Sequence, residues 1–180
     1  MLLDVADSLV LVIDVQTRLA PAIHDGDSCV RQCGLLIDAA GRLGVPVLAT
    51  EQYPEGLGST VADLADRLES GQVHAKRHFS CASEPGIAAA LEETGRRSLV
   101  ICGMEAHICV LQSALGLKGL GYGAIVVADA VASRQPASRD LALERMRGHG
   151  VEIVTAEMVI YEWLRLAGTS DFKAILPLVR

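Results

Sequence analysis

The sequence predicts a three-layer αβα fold, Rossmann-like, in which six parallel strands form one open sheet of order 3-2-1-4-5-6. Short runs of Val, Ile and Leu alternate with helical patterns along all 180 residues, which is how repeated βα units read. Hydrophobic residues make up 51% of the chain but aromatics only 3%, so the core is aliphatic, as strands buried under helices on both faces require. Crossovers between parallel strands are right-handed, and repeated units of this kind close most simply into a doubly wound sheet.

Each element follows from its local pattern. Residues 8–14 (SLVLVID) form the first strand, and 28–43 keep a helical stripe. Residues 45–50 (VPVLAT) are the second strand, followed by a turn-rich loop, EQYPEGLGS, and a short helix carrying Val61, Leu64, Ala65 and Leu68 at helical spacing. The third strand is 72–76 (QVHAK). A helix over 84–93 has Pro85 in its first turn, where the missing N–H does no harm. Residues 99–103 (LVICG) form the fourth strand, and the next helix, about 106–117, puts Ile108, Leu111 and Leu115 on one stripe. The fifth strand is 123–129 (GAIVVAD), the helix over 136–148 stops at glycine, and VEIVT is the sixth strand. A helix from Glu157 and the segment DFKAILPLVR complete one domain spanning 1–180. No repeat or linker interrupts it. A chain of this size buries roughly 70% of its unfolded surface, so no second domain is required.

Composition excludes several function classes. The net charge is −6 and the sequence pI about 5.3, with no basic run to face nucleic acid or anionic lipid. Asp4, Asp7 and Asp14 break up the N-terminal apolar run, which does not read as a signal peptide. No apolar stretch approaches the roughly 20 residues of a membrane span. The five cysteines, Cys29, Cys33, Cys81, Cys102 and Cys109, form no paired CxxC motifs, and reduced thiols in the cytoplasm are expected. No metal and no cofactor are expected.

Open parallel sheets bind ligands beyond the C-terminal ends of their strands, where strand order reverses. Here the reversal falls between strands one and four, so Asp14 and the turn from Gly103 to Cys109 are expected to face one crevice. Asp14 closes an apolar run from Leu9 to Ile13, where a carboxylate needs a partner or a task. Lys76 closes the third strand. Cys109 falls in the first turn of the helix after strand four, where a helix terminus and a nearby ammonium are expected to lower its pKa from about 8.5. Spacing alone leaves this as one candidate triad among several, with Asp14 also readable as a cap and Lys76 as a solvated charge.

The strings LVIDVQ, TEQYPEGLGST, AKRHFSC, VICGMEAHICVLQSAL and VVADAVASR, in this order and at this spacing, resemble the isochorismatase-like cysteine hydrolases. Within that superfamily they are most similar to isochorismatase-domain proteins of unassigned substrate, and the resemblance runs from about Ser8 to the C-terminal FKAILPLV. It implies Asp14 as general acid/base, Lys76 as the cation that stabilises a thiolate, and Cys109 as nucleophile. It also implies a cis peptide between Met104 and Glu105 and an oxyanion hole formed by the backbone N–H groups of Glu105 and Cys109. Nicotinamidases of the superfamily carry an Asp-x-His metal motif after the second strand, whereas this chain has Thr50, Glu51, Gln52 and Tyr53. Isochorismatases proper cleave a vinyl ether without a cysteine nucleophile, so Cys109 points away from that activity.

Other signals are weaker. His107 stands two residues before Cys109, and on a helix the two side chains diverge; it is a candidate for the pocket wall, as are Leu19 and Tyr53. His74 and His78 read as surface residues. The glycines of GLKGLGYG follow a helix, not a strand, and so do not form a dinucleotide loop. Gln16 in DVQT replaces the second carboxylate that a magnesium-dependent phosphatase would need.

The expected activity is hydrolysis of a small amide, carbamoyl or related C–N bond through a thioester. A non-catalytic scaffold of the same fold and a redox-reactive thiol protein are the alternatives. A small-molecule substrate and a homo-oligomer are the expected partners, with no nucleic acid and no membrane.

Overall fold

The computed structural model describes residues 2–179; of the predicted 1–180 unit, Met1 and Arg180 lie outside the described residues. Six strands, β1 (Ser8–Ile13), β2 (Val47–Gln52), β3 (Val73–Lys76), β4 (Ser98–Met104), β5 (Gly123–Ala132) and β6 (Glu152–Val154), form one sheet. Its order is β3-β2-β1-β4-β5-β6 and every pairing is parallel, as the sequence predicts. The second strand runs two residues later than its apolar pattern suggested and the fifth extends three residues further, to Ala132.

Strand alternation sorts the core into two. On β1, Leu9, Leu11 and Ile13 enter one apolar cluster while Val10 and Val12 enter the other, the period-two consequence of a strand buried on both faces. The first cluster is covered by α4 (Pro85–Thr94), α5 (Leu111–Gly119) and α6 (Pro136–Gly148). The second lies under α1 (Gly26–Leu43), α7 (Ala156–Leu164) and α8 (Ser170–Val179). Trp163 belongs to that second cluster and donates its indole N–H to Ser8 Oγ at 3.0 Å, while Tyr161 sits at the surface, edge-on to Phe172. Two single-turn helices, α2 (Pro54–Leu57) and α3 (Ala62–Ala65), occupy the connection after β2.

Two backbone features shape the C-terminal edge of the sheet. Asp14 directly follows β1 with φ 53, a left-handed conformation that Asp tolerates better than most residues, and its N–H still reaches Thr50 O at 3.1 Å. Gly103, at φ 117, pairs with Ile13, and a Cβ there would lie 2.0 Å from Ile13 O. Only glycine lets β4 pass β1 so closely. The Met104–Glu105 peptide that follows is cis.

Candidate active site

The sheet reversal brings Asp14, Lys76 and Cys109 together. Asp14 leaves β1, Lys76 ends β3 two strands away, and Cys109 sits on the turn that follows β4. That turn, Ala106–Val110, is a single π-helical turn leading into α5, in place of the α-helical start expected from the sequence. Lys76 Nζ contacts Asp14 Oδ2 at 2.8 Å, and both side chains are 0% exposed.

A buried ion pair survives only when its remaining donors and acceptors are also engaged. Here they are. Thr50 Oγ1 donates to Asp14 Oδ1 at 2.7 Å, and Lys76 Nζ donates to Gln52 Oε1 at 2.6 Å and to the carbonyls of His78 and Phe79 at 3.3 Å. Gln52 is held in turn: its side-chain Nε2 donates to Arg77 O at 2.8 Å, and its backbone N–H donates to Gln16 Oε1 at 2.9 Å. This fixes Gln52 Oε1 toward the ammonium, 4.0 Å from Cys109 Sγ. Thr50 and Gln52 are two apart on β2 and so share a face, a signal that strand alternation in the sequence already carried.

Electrostatically the thiol departs from the expectation of a lowered pKa. Burial pushes the Cys109 thiol up, and the Asp14 carboxylate beside it raises it further, while the Lys76 ammonium offsets only part of this. Burial also raises the Asp14 carboxyl above its ordinary value, against the pull of Lys76 and the hydrogen bonds it accepts. The resting sulfur therefore holds its proton, because a thiolate beside a carboxylate would place two negative charges against one ammonium in a dry site.

Cys109 opens onto a cavity of about 320 Å³ that Asp14 and Gln52 also reach. Its walls are mainly apolar, from Leu19, Leu57, Phe79 and Ile108, with Glu105 and Arg134 at one side. Leu19 is thus at the wall, but Tyr53 and His107 are not among the lining residues. Tyr53 is 46% exposed with its ring under the Arg77 guanidinium at 4.4 Å, and His107 Nδ1 pairs with Ser133 Oγ at 2.9 Å. The divergence of positions 107 and 109 on a helical turn accounts for the latter. His78 is a surface residue paired with Glu84 at 3.1 Å. The Glu105 and Arg134 side chains were not anticipated, since nothing in their spacing links a turn after β4 to a loop after β5.

Among the described residues no group of three or more His, Cys, Asp or Glu side chains could hold a metal ion, and no helix is long and apolar enough to cross a membrane.

Comparison with known proteins agrees with this fold. The isochorismatase domain model matches residues 8–158. Isochorismatase family protein 1B of Dictyostelium discoideum is 36% identical over 177 residues, covering 96% of this chain and 86% of the relative. Among solved structures, one described as MAR1 ribonuclease from Caenorhabditis elegans superposes with a TM-score of 0.92 at 32% identity, over 99% of this chain and 92% of that one. YcaC from Pseudomonas aeruginosa, solved with hexane-2,5-diol and covalent acrylamide, superposes with a TM-score of 0.91 at 26% identity, over 98% and 91% of the two chains. With its sheet order, its matched residues and its relatives in accord, this chain belongs to the isochorismatase domain family, whose members are generally hydrolases.

Proposed function

We propose that the chain is a single-domain, cysteine-dependent hydrolase that cleaves a small amide, carbamoyl compound or related C–N bond through a thioester. The observation that carries this reading is the buried Asp14–Lys76 pair, closed on itself by hydrogen bonds, beside the Cys109 thiol where it opens onto a largely apolar cavity. The covalent acrylamide in the Pseudomonas relative supports it, since acrylamide is an electrophile that needs a nucleophile to hold it.

In the resting site the proton is on sulfur and the negative charge on Asp14. When a substrate carbonyl enters, Asp14 takes the thiol proton and Cys109 Sγ attacks the carbonyl carbon. This transfer moves one negative charge from carboxylate to sulfur beside the fixed Lys76 ammonium, so no net charge is created in the dry site. The backbone N–H groups of Glu105 and Cys109 receive the developing oxyanion. Asp14 then returns its proton to the leaving nitrogen, the C–N bond breaks, and a thioester remains. Water, deprotonated by Asp14, cleaves it to the acid and the free thiol.

Neither the alternative of a redox-reactive thiol nor ribonucleolysis has comparable support. A raised thiol pKa works against oxidation at neutral pH. The ribonuclease description belongs to the nematode relative, and a chain of net charge −6 with an apolar cavity offers no track for a phosphate backbone. The reduced, unpaired cysteines suit the cytoplasm, and exposed Tyr161, Leu166 and Leu178 in the C-terminal region are available to a homo-oligomer contact.

The test is a screen of primary amides and carbamoyl compounds with native protein and Cys109→Ala. Ammonia or amine release that disappears in the variant, with an acyl adduct on Cys109 captured by rapid quench, is the expected result. Hydrolysis undiminished by Cys109→Ala overturns the mechanism.

A further inference from the structure

Arg134 follows β5 and reaches the same cavity as Cys109. Its backbone N–H donates to Glu105 Oε2 at 3.0 Å, and its Nε lies 3.1 Å from Oε1 and 3.0 Å from Oε2. The Glu105 side chain is only 6% exposed and that of Arg134 56%, so the buried carboxylate holds the guanidinium by its inner edge. No hydrogen bond from Nη1 or Nη2 is found among the described residues. A guanidinium gripped this way keeps its plane while its outer pair of nitrogens remains available as a fork of parallel donors. The other charges reaching the cavity are already matched, since Asp14 pairs with Lys76 and Glu105 with Arg134. Between fork and sulfur the walls are apolar, from Leu19, Leu57, Phe79 and Ile108.

We infer that Arg134 is a specificity residue that binds a carboxylate of the substrate, so that the natural substrate is a small amide or carbamoyl compound carrying a carboxylate on a short apolar body. The inference rests on the proposed nucleophile for the position of the reacting carbonyl, and on Arg134 and Glu105 for the anion. A planar carboxylate matches the outer fork with two parallel N–H···O bonds. The position of Glu105 next to the oxyanion turn means that a substrate anchored through Arg134 is also registered against Cys109. A cavity of about 320 Å³ admits only a compact molecule, so anion and scissile carbonyl are a few bonds apart.

Iodoacetate and iodoacetamide are nearly equal in size and differ in charge, and their rates of alkylation at Cys109, read by peptide mass spectrometry at pH 8, report the anchor directly. Relative to their ratio on glutathione, the native chain is expected to favour iodoacetate. Arg134→Gln should reduce that preference about tenfold, the loss expected for a charge-assisted pair, and Arg134→Lys should retain part of it. An unchanged ratio in Arg134→Gln overturns the proposal. Because that variant leaves Glu105 buried without its cation, the Glu105→Gln/Arg134→Gln pair, which buries no charge, repeats the measurement at matched thermal stability. A second measurement is independent of sulfur chemistry: in Cys109→Ala protein, succinamate should bind about tenfold more tightly than succinamide, and equal binding refutes the anchor. If neither reagent labels Cys109 while succinamate still binds through Arg134, the nucleophile assignment fails and the carboxylate assignment holds.

Discussion

Replacing Lys76 with Met isolates the energetics of the buried pair. Both side chains of the pair are 0% exposed and meet at 2.8 Å, so the variant leaves the Asp14 carboxylate in the core without its cation. Removing one partner of such a pair costs about 3–5 kcal/mol. For a chain of this length that is a fall in Tm of roughly 6–20 °C, at about 2–4 °C per kcal/mol. Adding Asp14→Asn removes the stranded charge while keeping an acceptor for Thr50. The double variant is therefore expected to be more stable than the sum of the two single losses, by about 1–3 kcal/mol of coupling. Urea unfolding at neutral pH, with the slope held common to all four proteins, measures the cycle. The pH dependence gives a second readout. Burial already holds the Asp14 carboxyl above its ordinary value, and Lys76 is the largest opposing influence. Without Lys76 the folded-state pKa rises further above the unfolded value. An acid raised in this way binds its proton in the folded state first, so stability is lost as pH rises from the unfolded pKa through the folded one. Lys76→Met should accordingly regain stability as pH is lowered from 7 toward 5, over a wider window than the native chain shows. Single losses that add to within about 0.5 kcal/mol, with no such recovery in acid, would refute a coupled buried ion pair.

Three further outcomes follow from the same geometry. Cys109 alkylation by a neutral reagent should stay slow through neutral pH and climb only in the alkaline range, because burial and Asp14 raise the thiol. Asp14→Asn removes that carboxylate while Lys76 remains, so alkylation at pH 8 should accelerate even as amide turnover disappears; slower labelling in this variant contradicts the electrostatic assignment. Gly103→Ala places a methyl 2.0 Å from Ile13 O at a φ of 117, and should cost about 3 kcal/mol by chemical denaturation. A loss well under 1 kcal/mol would show that the close approach of β4 to β1 is relaxed at little cost.

The sequence by itself determined the sheet. Aliphatic runs of strand length separated by helical stripes leave few arrangements once crossovers must be right-handed, and a strand buried on both faces reads as a continuous apolar run, as 9–13 does. The strand-order reversal placed Asp14 and the turn from Gly103 to Cys109 at one crevice, since strand ends are countable from the pattern, whereas Lys76 at the end of the third strand was equally readable as a solvated charge. Proximity was legible in this way; environment was not. Whether a thiol near a helix start is lowered by a lysine or raised by burial and a carboxylate depends on distances and solvent exclusion between residues 33 to 95 positions apart in the chain, and no local pattern encodes those. Tyr53 shows the limit from the other side: its loop was readable, but a left-handed backbone at φ 41 and a stack on Arg77 turn its ring out to the surface. The Glu105–Arg134 pair likewise joins two turns 29 residues apart. The sheet decides their meeting, because β4 and β5 lie side by side and deliver both turns to the same rim.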